Sequence, residues 1–186
     1  MTSRLDFEAV LAAARDGEEW ALTELYRVLY ARMVRYVGAV EPAEAEDIAC
    51  DTWLDVVRGL RRFRGDEAGL RAFAFTIARR RLLDLRRRRA RRRTDPRDPS
   101  TLIQAGPTGD AEEEALSSLG TTWAINLITS SLSADQAEIV LLRVIGDLDV
   151  DAVAKIVGKR PGNVRVLQHR ALRRLARILQ REGVTR

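Results

Sequence analysis

The sequence predicts an all-α protein of two small helical domains joined by a flexible linker, the C-terminal one a helix-turn-helix. Three observations lead there. Apolar residues recur at three- and four-residue spacing through most of the chain, the period of an amphipathic helix. That periodicity disappears from Thr94 to Asp110, where Pro96, Pro99, Gly106, Pro107 and Gly109 accumulate, the composition of a tether. Between Ser133 and Gln180 a short helix, a tight turn and a basic helix then follow one another. The expected layout is a first domain over 1–93, a linker over 94–110 and a second domain over 111–186.

In the first domain, Leu5 to Ala14 reads as a short helix closed by Asp16-Gly17. A longer helix from about Glu18 has the apolar stripe Leu22, Leu25, Tyr26, Leu29, Met33 and Tyr36, with Gly38 near its end. Pro42 is expected to open the third helix, since a missing N–H costs nothing at the first helical position. One side of that helix carries Ile48, Ala49, Thr52, Trp53, Val56, Val57 and Leu60; the other carries Glu44, Asp47, Cys50, Asp51, Leu54 and Asp55. The second side reads either as a solvated face or as a docking strip for a basic partner.

A basic block follows. Arg61-Arg62-Phe63-Arg64-Gly65 is a basic loop with an aromatic inside it. The fourth helix, from about Glu67 or Ala68, turns Leu70, Phe73, Ala74, Ile77 and Ala78 inward and runs on through Arg79-Arg80-Arg81 to Arg91-Arg92-Arg93. Arginines interleaved with aromatics suit unpaired nucleic acid, because bases stack on rings while phosphates are neutralised. Phe73 is assigned to the core, whereas Phe63 and Phe75 are open to either role.

After the linker, Leu116, Leu119, Trp123, Ala124, Leu127 and Ile128 form a helix that the small C-terminal unit needs for its core. Ser133 with Gln136 is a capping pair, and Ala137, Val140, Leu141, Val144 and Ile145 give the next buried face. Gly146 to Asp149 is a turn. Val150, Val153, Ala154 and Val157 make a short helix ending at Gly158, a left-handed cap. Lys159-Arg160-Pro161 starts the last helix, with Val164, Leu167, Ala171, Leu175 and Ile178 inward. Asn163, Arg165, Val166, His169, Arg170 and Arg173 lie on the other side.

Charge is segregated along the chain. Lys and Arg against Asp and Glu number 5 and 12 over residues 1–57, 15 and 3 over 58–93, 2 and 10 over 94–150, and 10 and 2 over 151–186. The net +5 therefore hides two basic surfaces fit for phosphate. A hydrophobic share of 46% with 32% charged residues is that of a soluble globular protein. The single cysteine, Cys50, excludes an internal disulfide and fits a reducing cytoplasm. Met1 to Val10 lacks the apolar core of a signal peptide, and the uncharged run Ala115 to Ala134 is half Ser, Thr, Gly and Asn, too polar for membrane insertion. With one histidine, no glycine-rich phosphate loop and no metal-ligand spacing, neither catalysis nor a cofactor or metal is expected. The residues alone leave two nucleic-acid-binding readings open: a helix-turn-helix regulator with an N-terminal sensing or dimerisation module, and an RNA-binding adaptor.

The motifs favour a third. Ala45-Glu46-Asp47-Ile48-Ala49-Cys50-Asp51-Thr52-Trp53, then Phe73 through Ile77-Ala78-Arg79-Arg80, and in the second half Leu132-Ser133-Ala134-Asp135-Gln136, Gly162-Asn163-Val164-Arg165 and His169-Arg170-Ala171-Leu172, resemble the extracytoplasmic-function sigma factors, the small promoter-recognition subunits of bacterial RNA polymerase. Four positions depart from the family pattern: Cys50 replaces its glutamine, Phe73 its tryptophan, Arg80 its asparagine and Asn163 its threonine. The resemblance implies that Asp47, Cys50, Asp51 and Leu54 contact core RNA polymerase, and that Arg61, Arg62, Phe63, Arg64, Phe75, Arg79 and Arg80 meet the −10 element of promoter DNA. Lys159, Arg160, Asn163, Arg165, Val166, His169, Arg170 and Arg173 would meet the −35 element. An anti-sigma factor is a further candidate partner, left open by the sequence together with the promoter read and the inducing signal.

Overall fold

The computed structural model describes residues 4–93, 112–181 and 183, and the linker expected over 94–110 lies outside them. The chain divides into two compact units between Ile103 and Gln104. All regular elements of the described residues are helical.

The first unit contains α1 (Arg4–Asp16), α2 (Glu19–Gly38), a 3-10 turn at Pro42–Glu44, α3 (Ala45–Leu60) and α4 (Glu67–Arg93). Gly17, at φ +89°, makes the tight reversal from α1 to α2, a backbone region that L side chains rarely adopt. All four helices feed one core: Phe7, Val10, Leu11 and Ala14 from α1, Leu25, Leu29 and Met33 from α2, Ala49, Val56 and Leu60 from α3, and Leu70, Ala74 and Ile77 from α4. A Cβ added at Gly59 would lie 2.6 Å from Cζ of Phe73, so the ring fills the notch that the glycine leaves between α3 and α4.

Three expectations need correction here. Pro42 opens the 3-10 turn, and α3 itself starts at Ala45. Tyr26 is exposed at 38%: its ring stacks on Tyr30 at 4.4 Å and meets Trp53 edge-on at 5.4 Å, while Ala21 and Val37 fill the buried stripe. Phe75 is fully buried, with its ring 5.3 Å from that of Tyr36, so it belongs to the core and cannot stack on a base. The cause is that α4 packs against both α2 and α3, so its apolar face is wider than a single stripe.

The second unit contains α5 (Glu112–Ser131), α6 (Ala134–Val144), α7 (Val150–Val157) and α8 (Pro161–Arg181). Each boundary has a local cause. Ser133 Oγ accepts from the Gln136 N–H at 3.4 Å and Gln136 Oε1 accepts from the Ser133 N–H at 3.3 Å, a reciprocal cap worth about 1 kcal/mol. Asp149 caps α7 by accepting from the Ala152 N–H at 2.7 Å. Gly158 ends α7 at φ 71°, ψ 34°.

Leu132, Ala137, Val140 and Ala171 form a buried cluster lined by Ile128 and Leu175. Helix α6 contacts α5, α7 and α8, so Ile139 and Leu142 are buried as well as the face read from the sequence. Val144, at the last position of α6, is 67% exposed because its face has run out of neighbours. Trp123 of α5 is likewise exposed, although its spacing placed it on the inner stripe. Of the other α5 residues assigned inward, Ala124, Leu127 and Ile128 are half-buried, and the side chains of Leu116 and Leu119 lie outside the described set.

The position of Phe75 gives a direct test. Phe75→Ala is expected to cost about 3–5 kcal/mol in urea denaturation followed by circular dichroism, as for a filled core position. A change below about 0.5 kcal/mol would mark a surface residue.

Candidate nucleic-acid and partner interfaces

Asp47, Cys50, Asp51 and Leu54 stand on one stripe of α3, and all four are exposed. Leu54 is 46% exposed, an apolar side chain among carboxylates, and Cys50 is a free thiol. The stripe is not electrostatically idle. Arg81, from the middle of α4, donates through Nη1 to Asp51 at 2.6 Å and through Nη2 and Nε to Asp55 at 2.6 and 3.2 Å. Asp55 also accepts from Arg58 at 3.3 Å and lies 3.8 Å from Arg80. A planar guanidinium with donors on two edges suits two carboxylates one helical turn apart. Desolvation alone would raise the Asp55 carboxyl, but the hydrogen bonds and charges of Arg81 and Arg58 outweigh it and hold it below the ordinary value. Sequence reasoning gave Arg81 no role. Its signal was the pair Asp51 and Asp55, four apart, opposite an arginine run on the next helix.

In the α3–α4 loop, Arg61, Arg62 and Arg64 are exposed, whereas Phe63 is half-buried and tilted onto Phe73 with ring centroids 5.7 Å apart. A Cβ at Gly65 would lie 2.9 Å from Cζ of Phe63, so the ring rests on bare backbone. The Phe63 N–H donates to the Gly59 carbonyl at 3.0 Å, and its own carbonyl accepts from Arg64 at 2.9 Å and from Arg15 at 2.8 Å. Asp66 closes the loop by accepting from the Gly69 N–H at 2.8 Å. Phe63 therefore anchors the loop by its ring, and the loop's outward groups are guanidiniums.

Arg79 is half-buried and Arg80 exposed at the start of the basic run on α4. Further along, part of the positive charge is used within the unit. Arg86 donates to Glu41 at 3.1 Å, and Arg89 donates to Glu41 at 2.5 Å and to Glu44 at 2.7 Å.

On α8, Asn163, Arg165, Val166, His169, Arg170 and Arg173 are all exposed, while Val164 and Ala171 are fully buried. Pro161 begins the helix, and α7 packs against it in helix-turn-helix order. Arg160 is exposed at the entry. Lys159 is half-buried, and its ammonium lies 2.8 Å from Asp135 Oδ2, joining the turn before α8 to the first turn of α6.

Residues 22–92 match the family Sigma-70 region 2, and residues 123–175 match Sigma-70, region 4. The chain is 34% identical over 178 residues to the ECF RNA polymerase sigma factor SigD of Mycobacterium tuberculosis, covering 92% of this chain and 82% of SigD. The chain belongs to the ECF RNA polymerase sigma factors. It is also 30% identical over 181 residues to the ECF sigma factor ShbA of Streptomyces griseus, covering 92% of this chain and 94% of ShbA. CnrH, solved in complex with the cytosolic domain of CnrY, shares the fold with a TM-score of 0.59 at 19% identity, over 94% of this chain and 97% of CnrH. As a sigma factor the chain binds core RNA polymerase and directs transcription initiation at promoter DNA. Region 2 spans α2 to α4, region 4 takes in α6 and α7 with parts of α5 and α8, and α1 precedes both matches. No helix of the described residues is long and apolar enough to cross a membrane.

The lowered Asp55 carboxyl sets a pH dependence. Stabilisation from a depressed carboxylate is fully present above the unfolded value, roughly 4, and is lost as pH falls from there through the folded value. Asp55→Asn is expected to cost about 1–3 kcal/mol at pH 7. In urea denaturation its deficit against the parent should be constant from pH 7 to about 5 and shrink below about 4. A deficit independent of pH would remove the ion pair from the account.

Proposed function

We propose that this sigma factor divides promoter recognition between its two units, with residues 1–93 serving polymerase and the −10 element, 94–110 linking, and 111–186 serving the −35 element. The observation that carries this reading is α8, which exposes Asn163, Arg165, Val166, His169, Arg170 and Arg173 on a helix held from behind by buried Val164 and Ala171. An α-helix with such a face fits the major groove. Arg165 is the candidate reader of a guanine, since guanidinium can bond O6 and N7 together, and Val166 suits a thymine methyl. Arg160 takes the phosphate role at the helix entry. Lys159, occupied by Asp135, contributes less there than the sequence implied.

In the first unit, Asp47, Cys50, Asp51 and Leu54 form the polymerase strip. Leu54 supplies the apolar contact and Asp47 a carboxylate outside the Arg81 network. Arg61, Arg62, Arg64, Arg79 and Arg80 hold the −10 strand, with Phe63 as the loop's internal anchor. The same work assigns the protein to the cytoplasm, where polymerase and promoter meet.

Two measurements test these assignments. In binding to −35 duplexes with each base pair changed in turn, Arg165→Ala is expected to cost about 1–3 kcal/mol and relax preference at one position. Arg160→Ala should weaken all duplexes alike and reduce the salt dependence by about one ion. A uniform loss for Arg165→Ala would make it a phosphate contact. For the polymerase strip, Asp47→Arg is expected to cost roughly 2–5 kcal/mol in titration with core enzyme; unchanged affinity would reject the strip.

A further inference from the structure

Helix α1 ends before residue 22, where the region 2 match begins, yet it reaches the centre of the DNA loop. Its inner face, Phe7, Val10, Leu11 and Ala14, is packed into the core of the unit, so the next residue leaves the helix from a fixed base. That residue is Arg15. Its Nη2 donates at 2.8 Å to the carbonyl of Phe63, 48 positions further on, in a half-buried setting.

The Phe63 carbonyl thereby accepts from two guanidiniums, those of Arg15 and Arg64. Together with the N–H bond to Gly59 and the ring contact with Phe73, this fixes Phe63 by side chain, amide and carbonyl at once. Of the three, only the carbonyl bond from Arg15 comes from outside region 2. The bond carries a cost: Arg15 Nε is buried with no hydrogen-bond partner among the described residues, an arrangement that a methionine of similar length would avoid.

We propose that Arg15 is a positioning residue for promoter opening: α1 acts through it to hold the loop 61–66 in the conformation from which Arg61, Arg62 and Arg64 grip the unpaired −10 strand. A loop ordered beforehand does not have to be ordered when the strand binds, so the contribution appears in strand capture and not in polymerase docking. This inference rests on the assignment of the loop to the −10 strand.

The test uses the full chain bound to core RNA polymerase and a single-stranded oligonucleotide of the −10 sequence from a promoter it initiates at. Arg15→Met is expected to weaken oligonucleotide capture roughly tenfold and to speed amide hydrogen exchange at Arg62 and Phe63. Polymerase affinity and −35 duplex affinity should stay within about twofold of the parent. Arg15→Lys, which keeps a charged donor on a long stem, should recover most of the capture. Capture equal to the parent's in Arg15→Met overturns the proposal, and so does an equal loss of capture and polymerase affinity, which would mark a general structural role. If Arg15→Met does not fold, Arg15→Gln is read by the same criteria. A triple variant, Arg61→Ala, Arg62→Ala and Arg64→Ala, separates the two levels. If it captures the strand normally, the loop assignment fails and this inference with it; if it fails while Arg15→Met is normal, only the role of Arg15 falls.

Discussion

The guanidinium of Arg81, lodged between Asp51 and Asp55, is the joint on which the first unit turns. It ties α3 to the helix that carries the basic run, at a point past the apolar contacts of Gly59 with Phe73. Apolar packing brings α3 and α4 together but tolerates sliding; a fork bonded to two carboxylates one turn apart fixes their register. The Asp55 half of the contact is only partly exposed, 28% for Arg81 and 22% for Asp55, so water and salt screen it less than an ordinary surface pair, whereas Asp51 is 59% exposed. The exposed stripe of α3 and the basic run of α4 are thereby joined by a polar contact as well as by apolar packing.

The same accounting explains how a helix as arginine-rich as α4 is tolerated. Like charges at helical spacing repel, and the sequence answers with carboxylates on neighbouring elements: Asp51 and Asp55 for Arg81, Glu41 for Arg86, Glu41 and Glu44 for Arg89. The acidic block over 1–57 and the basic block over 58–93 are therefore halves of one folded surface. Arg61, Arg62 and Arg64 of the loop are exposed outside these pairs, and Arg80 is exposed with Asp55 3.8 Å away.

Features with local causes were readable from the chain. The Ser133–Gln136 cap, the left-handed Gly158 and the two faces of α8 each depend on residues within a few positions of one another. The exposed stripe of α3, Asp47, Cys50, Asp51 and Leu54, was readable because exposed and buried residues alternate cleanly on a helix with one apolar side. The failures share a cause of the opposite kind. Phe75 and Ile139 sit on helices packed from more than one side, where a single stripe underestimates the core, while Val144 and Trp123 lie on the right phase with nothing opposite them. The ion pairs of Lys159 and Arg81 were not legible because their partners, Asp135 and Asp51 with Asp55, are distant in sequence. Charge runs give the sign of a surface but not which charges are already spent.

That distinction bears on α8. Its grip on the unit comes from two buried side chains facing the core, Val164 and Ala171, spaced seven residues apart and hence two turns along one side. Small and β-branched residues there let the helix axis sit close to α6 and α7, which leaves the opposite side proud of the surface over its first three turns. On that side Arg165, Arg170 and Arg173 make no ion pair with a carboxylate among the described residues, in contrast to Lys159 just before the helix. Acidic neighbours that neutralise α4 are missing from the corresponding stretch of sequence, since 151–186 holds 2 acidic residues against 10 basic ones. A helix that must trade its cations to phosphate and base edges gains from keeping them uncommitted, whereas one that must also hold a partner-facing neighbour in register gains from spending some of them inside. The two basic surfaces thus differ in how much of their charge the fold itself consumes, and among the described residues α8 is the one that keeps nearly all of it uncommitted.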